Sequence, residues 1–115
     1  MNLVHLDELP TFPVSHNGNI SKHVLLAGLP GGVNFCEATF PPGETAPAHS
    51  HTDLCEIFYF TSGSGTVTIN GEMHAVSQGS CLLVGPGDMH EITNTGTEAL
   101  QVIYFALNAS PQSDG

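Results

Sequence analysis

The sequence has no arginine and a single lysine, Lys22, against 11 acidic residues, which gives a formal net charge of −10. A negative field of this size repels nucleic acid and anionic lipid, so we expect neither a nucleic-acid partner nor a membrane surface. The lack of arginine also removes the planar donor that usually holds a carboxylate or phosphate in bidentate fashion. Such a substrate would have to bind through a metal ion or through backbone amides.

Long apolar runs and regularly spaced cysteines are also missing. No apolar stretch approaches the length of a transmembrane helix. The start, MNLVHLDELP, has acidic residues before any lysine and lacks the apolar core of a secretion signal, so we expect a cytoplasmic protein. The three cysteines, Cys36, Cys55 and Cys81, are odd in number and irregularly spaced, which predicts free, mostly buried thiols.

What the sequence does contain is typical of a β protein. Hydrophobic residues make up 40% of the chain and charged residues 10%, with 13 Gly and 8 Pro. From about residue 33, β-type runs alternate with turn signals: VNFCEATF, EIFYF, TVTI, MHAV, CLLV, HEIT and ALQVIYFAL. The Asn-Gly pair between TVTI and MHAV is a hairpin signal. About seven short strands at this spacing predict an all-β sandwich or small barrel.

The length of 115 residues predicts a single domain over residues 1–115. Its core is expected at about residues 33–107, after an irregular N-terminal arm of residues 1–32 and before a frayed polar tail of residues 108–115. Within the arm, KHVLLAGL can form a strand or a helical turn. We expect at least one edge strand there.

The stretch HSHTDLCE, which begins at His49, places two histidines close to a glutamate. Side chains on a strand alternate between faces, so His49 and His51 are predicted to point to the same side. Glu56 lies an odd number of residues further on and would face away on an unbroken strand. A turn or bulge at TDL resets this parity, after which Glu56, Phe58 and Phe60 would share the inner face.

A further ligand can come from His90, which follows the turn signal GPGDM and begins the run HEIT, with Ile92 on the same inward face. Two histidines and a carboxylate with open positions suit iron, manganese, nickel or zinc. The histidine pair alone is also compatible with two unrelated surface residues. The prediction of a metal site therefore depends on the wider spacing.

That wider spacing resembles the two signatures of the cupin superfamily over about residues 40–107. The first is matched by Gly43, five residues, His49, one residue, His51, four residues, Glu56, six residues and Gly63. The second is matched by Gly79, Gly87, two residues, His90, three residues and Asn94. One position departs from it: the proline expected two residues before Gly87 is Gly85, and a proline stands at Pro86 instead.

The resemblance implies an all-β fold, the double-stranded β-helix or jelly-roll barrel of cupins, that holds one divalent transition metal. Carried over by position, the metal ligands are His49, His51, Glu56 and His90. The resemblance also implies oligomers. Because a short barrel leaves uncovered edge strands and the arm contains VHLDELPTFPV, which can pair with a second subunit, we predict a homodimer.

The other notable residues are expected to have structural roles. The motif glycines should supply turn conformations and Asn94 should close a turn. Histidines without ligand spacing are expected at the surface or in packing: His5, His16, His23 and His74. Cys55 adjoins Glu56 and should face away from the metal. Two questions stay open, namely whether Phe58, Phe60, Tyr104 and Met89 are core or pocket wall, and whether Glu37 faces inward as a base or outward.

For function, the resemblance implies a metal-dependent enzyme acting on a small molecule, either dioxygenase-like or a lyase, isomerase or cyclase. The lack of arginine favours a neutral, metal-chelating substrate such as a phenol, enol or diketone. Glu56 is then a metal ligand and also the candidate catalytic residue, as a proton shuttle. The alternatives are a non-catalytic cupin that binds or senses a small molecule or metal, and a structural partner protein.

Overall fold

Two antiparallel β-sheets make up the computed structural model, which describes residues 1–109. After a 3₁₀ helix at Leu6–Glu8 come the strands β1 Phe12–Val14, β2 Asn17–Leu26, β3 Gly32–Phe40, β4 Thr45–His49, β5 Leu54–Ser62, β6 Ser64–Ile69, β7 Glu72–Ser77, β8 Cys81–Val84, β9 His90–Asn94 and β10 Leu100–Asn108. Most of the tail that was predicted to fray lies outside the described residues. Within residues 1–109, no helix is long and apolar enough to cross a membrane.

The larger sheet has the strand order β1-β2-β3-β10-β5-β8, and the smaller one has the order β4-β9-β6-β7. Between β3 and β10 the chain passes repeatedly from one sheet to the other, which is the jelly-roll arrangement. The predicted all-β double-stranded β-helix is therefore confirmed. Each of the seven predicted runs lies on a strand, and the additional strands are β1, β2 and β4.

The core lies between the inner faces of the two sheets. On β9 the side chains of His90, Ile92 and Asn94 are buried and alternate with half-buried ones. Phe60 of β5 and Leu100 of β10 are both 0% exposed. Full burial of a large apolar side chain stabilises the fold by about 1.5–3 kcal/mol. The inward-facing positions of both sheets thus hold the barrel closed around its interior.

The N-terminal segment is more regular than expected. β2 is 10 residues long and pairs with β3, with Ser21 opposite Thr39. KHVLLAGL is therefore strand as far as Leu26 and not a helical turn. β1 is the edge strand of the larger sheet, so the expected edge strand is present. The polar residues around Ile20, which is completely buried, hide the β pattern of this segment in the sequence.

Positive backbone φ angles mark the tight turns. Asn70 (φ 50°) and Gly71 (φ 84°) connect β6 to β7, as the Asn-Gly signal predicted. The four motif glycines also have positive φ, which most other residues adopt only with strain: Gly43, Gly63, Gly79 and Gly87. Their predicted role in turns is confirmed.

Asn94 closes the turn between β9 and β10. Its side-chain amide donates to the carbonyl oxygens of Phe40 and Glu98, each at 2.8 Å. Its side-chain oxygen accepts a hydrogen bond from the Gly96 amide at 2.9 Å. Since Asn94 is 1% exposed, these bonds satisfy a buried polar group. The residue is structural, as the sequence indicated.

Candidate metal centre

β4 positions the first histidine of the centre and then ends. His49 is its last residue and pairs with His90 of β9, but the ladder is irregular just before it, where Pro47 has no amide hydrogen to donate. His51 lies beyond the strand, so strand alternation does not set its direction, although the ligand atoms of His49 and His51 converge on one side as predicted. His51 is held instead by the Gly87 amide, which donates to the His51 carbonyl oxygen at 2.7 Å.

Glu56 reaches the histidines from the opposite sheet. β5 begins after a bend at Thr52 and Asp53, so the expected break at TDL is present. Phe58 and Phe60 are buried on the inner face of β5, in step with Glu56. Because β4 and β5 belong to different sheets, the carboxylate approaches across the barrel interior and not from a strand beside β4.

His90 is the first residue of β9 and is only 1% exposed. The turn before it closes despite the displaced proline. The Asp88 amide donates to the Gly85 carbonyl oxygen at 3.1 Å, and the Gly85 amide donates to the Asp88 carboxylate at 2.9 Å. A proline at position 86 is therefore compatible with a turn that points His90 inward.

Two of the histidines are oriented by backbone carbonyl oxygens. His49 Nδ1 lies 2.8 Å from the Pro47 oxygen, and His90 Nδ1 lies 3.1 Å from the Asp88 oxygen. A carbonyl oxygen can only accept, so Nδ1 is the protonated nitrogen in each ring. The Nε2 lone pair of the neutral ring is left to bind a metal, and such carbonyl contacts are typical supports of metal-binding histidines.

Four potential ligand atoms converge, one each from His49, His51, Glu56 and His90, all within 4.8 Å of one another. Glu56 Oε1 lies 3.3 Å from His51 Nε2 and 3.2 Å from His90 Nε2. Glu56 Oε1 and His90 Nε2 are nevertheless buried without a well-aligned hydrogen bond to any of residues 1–109. An unsatisfied buried polar atom costs about 1–3 kcal/mol. Three imidazoles and a carboxylate fit a divalent transition ion, which would satisfy both atoms.

The same contacts set the protonation of Glu56 and His90. Burial would raise the pKa of Glu56, but the adjacent His90, followed by the charges of His51 and His49, holds it below its usual value. Burial would lower the pKa of His90, but contact with Glu56 and with the Asp88 carbonyl raises it. The pKa of Glu56 and the pKa of His90 are thus shifted in opposite directions by the same contact, each group favouring the charged form of the other.

Metal affinity is expected to fall as the pH is lowered, because the ion competes with a proton on His90. Since the pKa of His90 is raised, this proton is retained to a higher pH than on a free imidazole. Below that pKa, each pH unit should weaken Zn²⁺ binding about tenfold, because one proton must leave. Calorimetric titration with Zn²⁺ between about pH 6 and about pH 8 measures the affinity and the protons released. A pH-independent affinity would contradict this assignment.

A cavity of about 310 Å³ opens beside the four ligand atoms. Phe58 and Tyr104 line it and stack with ring centroids 5.6 Å apart, and Phe58 is also part of the buried core. Phe60 is completely buried and belongs to the core. Met89 is 45% exposed, so neither interpretation holds for it, because it ends the surface turn before β9. A cavity of this size accommodates a small organic molecule.

His16 was expected to be a surface or packing residue, but it lines the same cavity. Its ring centroid lies 4.6 Å from that of His49. Burial, followed by the neighbouring His49, lowers the pKa of His16. No sequence spacing indicates this position, because His16 lies in the turn between β1 and β2 and is far from the cupin signatures.

Lys22 also lines the cavity, which the sequence-based interpretation missed. It lies two residues after the buried Ile20 on β2. Strand periodicity therefore places both side chains on one face, and this was the signal that could have found it.

The remaining candidates lie away from the four ligand atoms. His5 and His74 are exposed, as expected, and His23 lies opposite Glu37 in the pairing of β2 with β3. Glu37 is half-buried on the outward face of β3, because the inward positions are taken by buried residues such as Ala38. Of the two alternatives for Glu37, the outward one is observed.

The three cysteines are free thiols, as predicted. Cys36 is buried, and burial raises the pKa of its thiol. Cys55 is half-buried and Cys81 is exposed, so the expectation of mostly buried thiols was wrong. Cys81 begins the edge strand β8, where one face is not covered by a second sheet. Cys55 is not among the four residues that converge.

Three curated proteins are similar in sequence. An uncharacterized protein of Methanocaldococcus jannaschii is 28% identical over 78% of this chain and 74% of its own length. The oxalate-binding protein of Thermotoga maritima is 30% identical over 60% of this chain and 57% of its own length. The dimethylsulfoniopropionate lyase DddW of Ruegeria pomeroyi is 38% identical over 64% of this chain and 47% of its own length. The last two matches span less than two thirds of those relatives.

Solved structures share the fold. A predicted oxalate decarboxylase from Thermotoga maritima superimposes with a TM-score of 0.84 at 23% identity, covering 93% of this chain and 99% of that one. The polyketide cyclase RemF from Streptomyces resistomycificus gives a TM-score of 0.81 at 20% identity, covering 99% of this chain and 88% of that one. At these identities the likeness establishes the jelly-roll fold alone.

The family assignment rests on the sequence match as well as on the fold. The family model described as a cupin domain matches residues 36–106, which is more than half of the chain. This span contains both signatures and all four residues whose ligand atoms converge. The chain belongs to the cupin family.

Proposed function

We propose that this protein is a metal-dependent enzyme that acts on a small metal-chelating molecule. The observation that carries the proposal is the convergence of four ligand atoms within 4.8 Å of one another, with Glu56 Oε1 and His90 Nε2 buried, beside a cavity of about 310 Å³. One divalent transition ion, iron, manganese, nickel or zinc, would be held by these residues together with His49 and His51. The partner of the site is a small-molecule substrate.

The ion, when bound, supplies Lewis acidity that stabilises negative charge developing on a substrate oxygen. Glu56 remains ionised at neutral pH, because its pKa lies below the usual value. It can therefore accept a proton from the substrate as well as bind the ion. Phe58 and Tyr104 form an apolar wall that excludes water from the reacting centre.

These features support dioxygenase-like chemistry or a lyase, isomerase or cyclase reaction. Among similar proteins, one is named a dimethylsulfoniopropionate lyase and one a polyketide cyclase. Both names favour reactions that rearrange or eliminate without added oxygen. The same Lewis-acid and proton-transfer functions serve those reactions, so a lyase, isomerase or cyclase is the form of the proposal that we favour.

A second candidate function is the binding or sensing of a small molecule or metal without chemistry. The specific observation that favours it is the similarity to a protein named for oxalate binding. The centre would be the same, but no product would form. The two candidates differ in turnover and not in metal content.

Elemental analysis of protein purified without chelator, followed by incubation with chelating substrates in air and under anaerobic conditions, tests the proposal. We expect about one ion per chain, as cupins with four ligands bind one metal at one centre. Anaerobic product formation supports a lyase, isomerase or cyclase, and oxygen uptake supports a dioxygenase. Tight binding without product supports the second candidate. Failure to bind any of the four metals after reconstitution refutes the metal centre.

We also propose that the protein is a cytoplasmic homodimer. β1 is a three-residue edge strand whose Phe12 is 45% exposed, and the preceding segment carries the exposed Leu3 and Val4. Pairing of this segment with a second subunit would cover the edge. Light scattering at micromolar concentration should give twice the monomer mass of 12.1 kDa. A monomeric mass would refute the dimer.

A further inference from the structure

Lys22 carries the only fixed positive side-chain charge in the chain. It follows the fully buried Ile20 by two residues on β2, and alternate residues of a strand share a face. Lys22 lines the cavity beside the candidate metal centre. Its charge also acts on the buried Cys36 thiol of the adjacent strand. The one permanent cation of a strongly acidic chain thus lies at the interior cavity.

Among residues 1–109, no acidic side chain forms an ion pair with Lys22, although Glu56 lines the same cavity. The sequence has 11 acidic residues, yet every ion pair found among residues 1–109 involves a histidine and none involves Lys22. Lys22 as a residue is half-buried. The simplest alternative is that only the aliphatic stem of Lys22 matters, as apolar cover. That alternative gives the charge no role.

A second cavity, of about 160 Å³, meets the main one at this point. The two cavities share Lys22, His51, Glu56 and Tyr104 as wall residues. Lys22 therefore lines the same junction as two of the candidate metal ligands. A small molecule in this junction can contact the ion and the lysine together.

Tyr104 lines the junction as a neutral phenol beside the Cys36 thiol. Burial raises the pKa of Tyr104, and the neighbouring Cys36 raises it further, so the phenol keeps its proton. The ring is held by stacking on Phe58. A lysine in this wall complements an oxyanion better than a neutral group.

We propose that Lys22 binds a carboxylate of the substrate at the junction of the two cavities. The substrate is then a small organic acid with a second oxygen that reaches the ion. This inference rests on the proposed function, because it needs an ion at the four ligand atoms. A single ammonium acts as a point charge, which suits a carboxylate monoanion and does not require the planar fork of arginine. The inference replaces the neutral substrate that the lack of arginine had favoured.

Calorimetric titration of the Mn²⁺-loaded protein with oxalate tests the inference, with maltol as a chelator that has no carboxylate. Lys22→Met keeps the stem and removes the charge, Lys22→Gln is a second uncharged variant, and Lys22→Arg restores the charge. Loss of a charge-assisted hydrogen bond should weaken oxalate binding about tenfold to a hundredfold in both uncharged variants. Maltol affinity should change by less than about twofold, because its contacts need no cation. Lys22→Arg should recover most of the oxalate affinity.

Metal content and thermal unfolding of each variant separate this inference from the proposed function. Unchanged Mn²⁺ content together with selective loss of oxalate affinity supports Lys22 as the carboxylate-binding residue. Equal oxalate affinity in wild type and a folded uncharged variant overturns the inference and leaves the metal centre intact. Equal weakening of oxalate and maltol also overturns it, in favour of the stem as apolar cover. If the wild-type protein binds none of manganese, iron, nickel and zinc, the proposed function itself fails, and this inference fails with it.

Discussion

Replacing Glu56 with alanine is expected to remove the metal and abolish turnover. Glu56 is the only carboxylate among the four converging residues, and it is the one that links the larger sheet to the histidines of the smaller sheet. Its loss takes away an anionic ligand and leaves His90 Nε2 buried without a counterpart. Substitution of a residue that only supports a metal ligand typically lowers metal affinity about 10–100-fold. Loss of a ligand itself should therefore lower metal affinity by at least about 100-fold.

Elemental analysis and titration with Zn²⁺ measure this loss. The His51→Ala variant should also have a lower metal affinity than wild type. The matched control is Glu37→Ala, which removes a half-buried carboxylate from the outward face of β3. It should leave metal content and turnover within about twofold of wild type, as expected of a surface substitution. Unchanged metal content and turnover in both Glu56→Ala and His51→Ala would show that the site has been assigned to the wrong residues.

Gly63→Ala is expected to lower the stability of the fold strongly. Gly63 has φ +83°, which an alanine adopts at a cost of about 1–2 kcal/mol. An added Cβ would also clash with the Ala99 carbonyl oxygen and lie 2.9 Å from Leu100 Cα, both backbone atoms. Relieving such a clash by backbone movement costs typically about 1–3 kcal/mol more. The free energy of unfolding should therefore fall by about 2–5 kcal/mol.

Gly79→Ala separates the cost of the positive φ angle from the cost of the Cβ clash. Gly79 has a similar φ of +93°, but a Cβ there meets nothing within 4 Å. Only the backbone strain of about 1–2 kcal/mol should remain. Urea denaturation followed by circular dichroism measures both variants. If the two glycines prove equally costly to replace, residues 99–100 do not approach Gly63 as closely as described.

Much of the fold was predictable because turn chemistry is local. The runs between turn signals match β3 and β5 to β10, and the Asn-Gly pair gives the hairpin at residues 70–71. The four converging residues were also predictable, because the cupin signatures fix their spacing. On an unbroken strand Glu56 would face away from His49 and His51. The bend at residues 52–53 interrupts the strand, so Glu56 can face them.

The features that could not be predicted from the sequence depend on contacts between distant segments. His51 was predicted on a strand, but Pro47 breaks the ladder and the Gly87 amide fixes the carbonyl of His51 from a separate turn. Lys22 and His16 reach the cavity because β2 and the turn before it pack over the barrel opening lined by the metal ligands. No spacing rule connects these residues to the cupin signatures.

Because the four converging residues come from both sheets, a bound ion would connect the two halves of the barrel. His49 and His90 pair across β4 and β9 in the smaller sheet, whereas Glu56 belongs to the larger sheet. An ion bound by all three resists separation of the sheets, which is the motion that unfolding requires. At a free metal concentration of about 1,000 times Kd, the folded state gains about 4 kcal/mol. The lifetime of the protein in the cell would then follow the supply of its metal, apart from any change in catalysis.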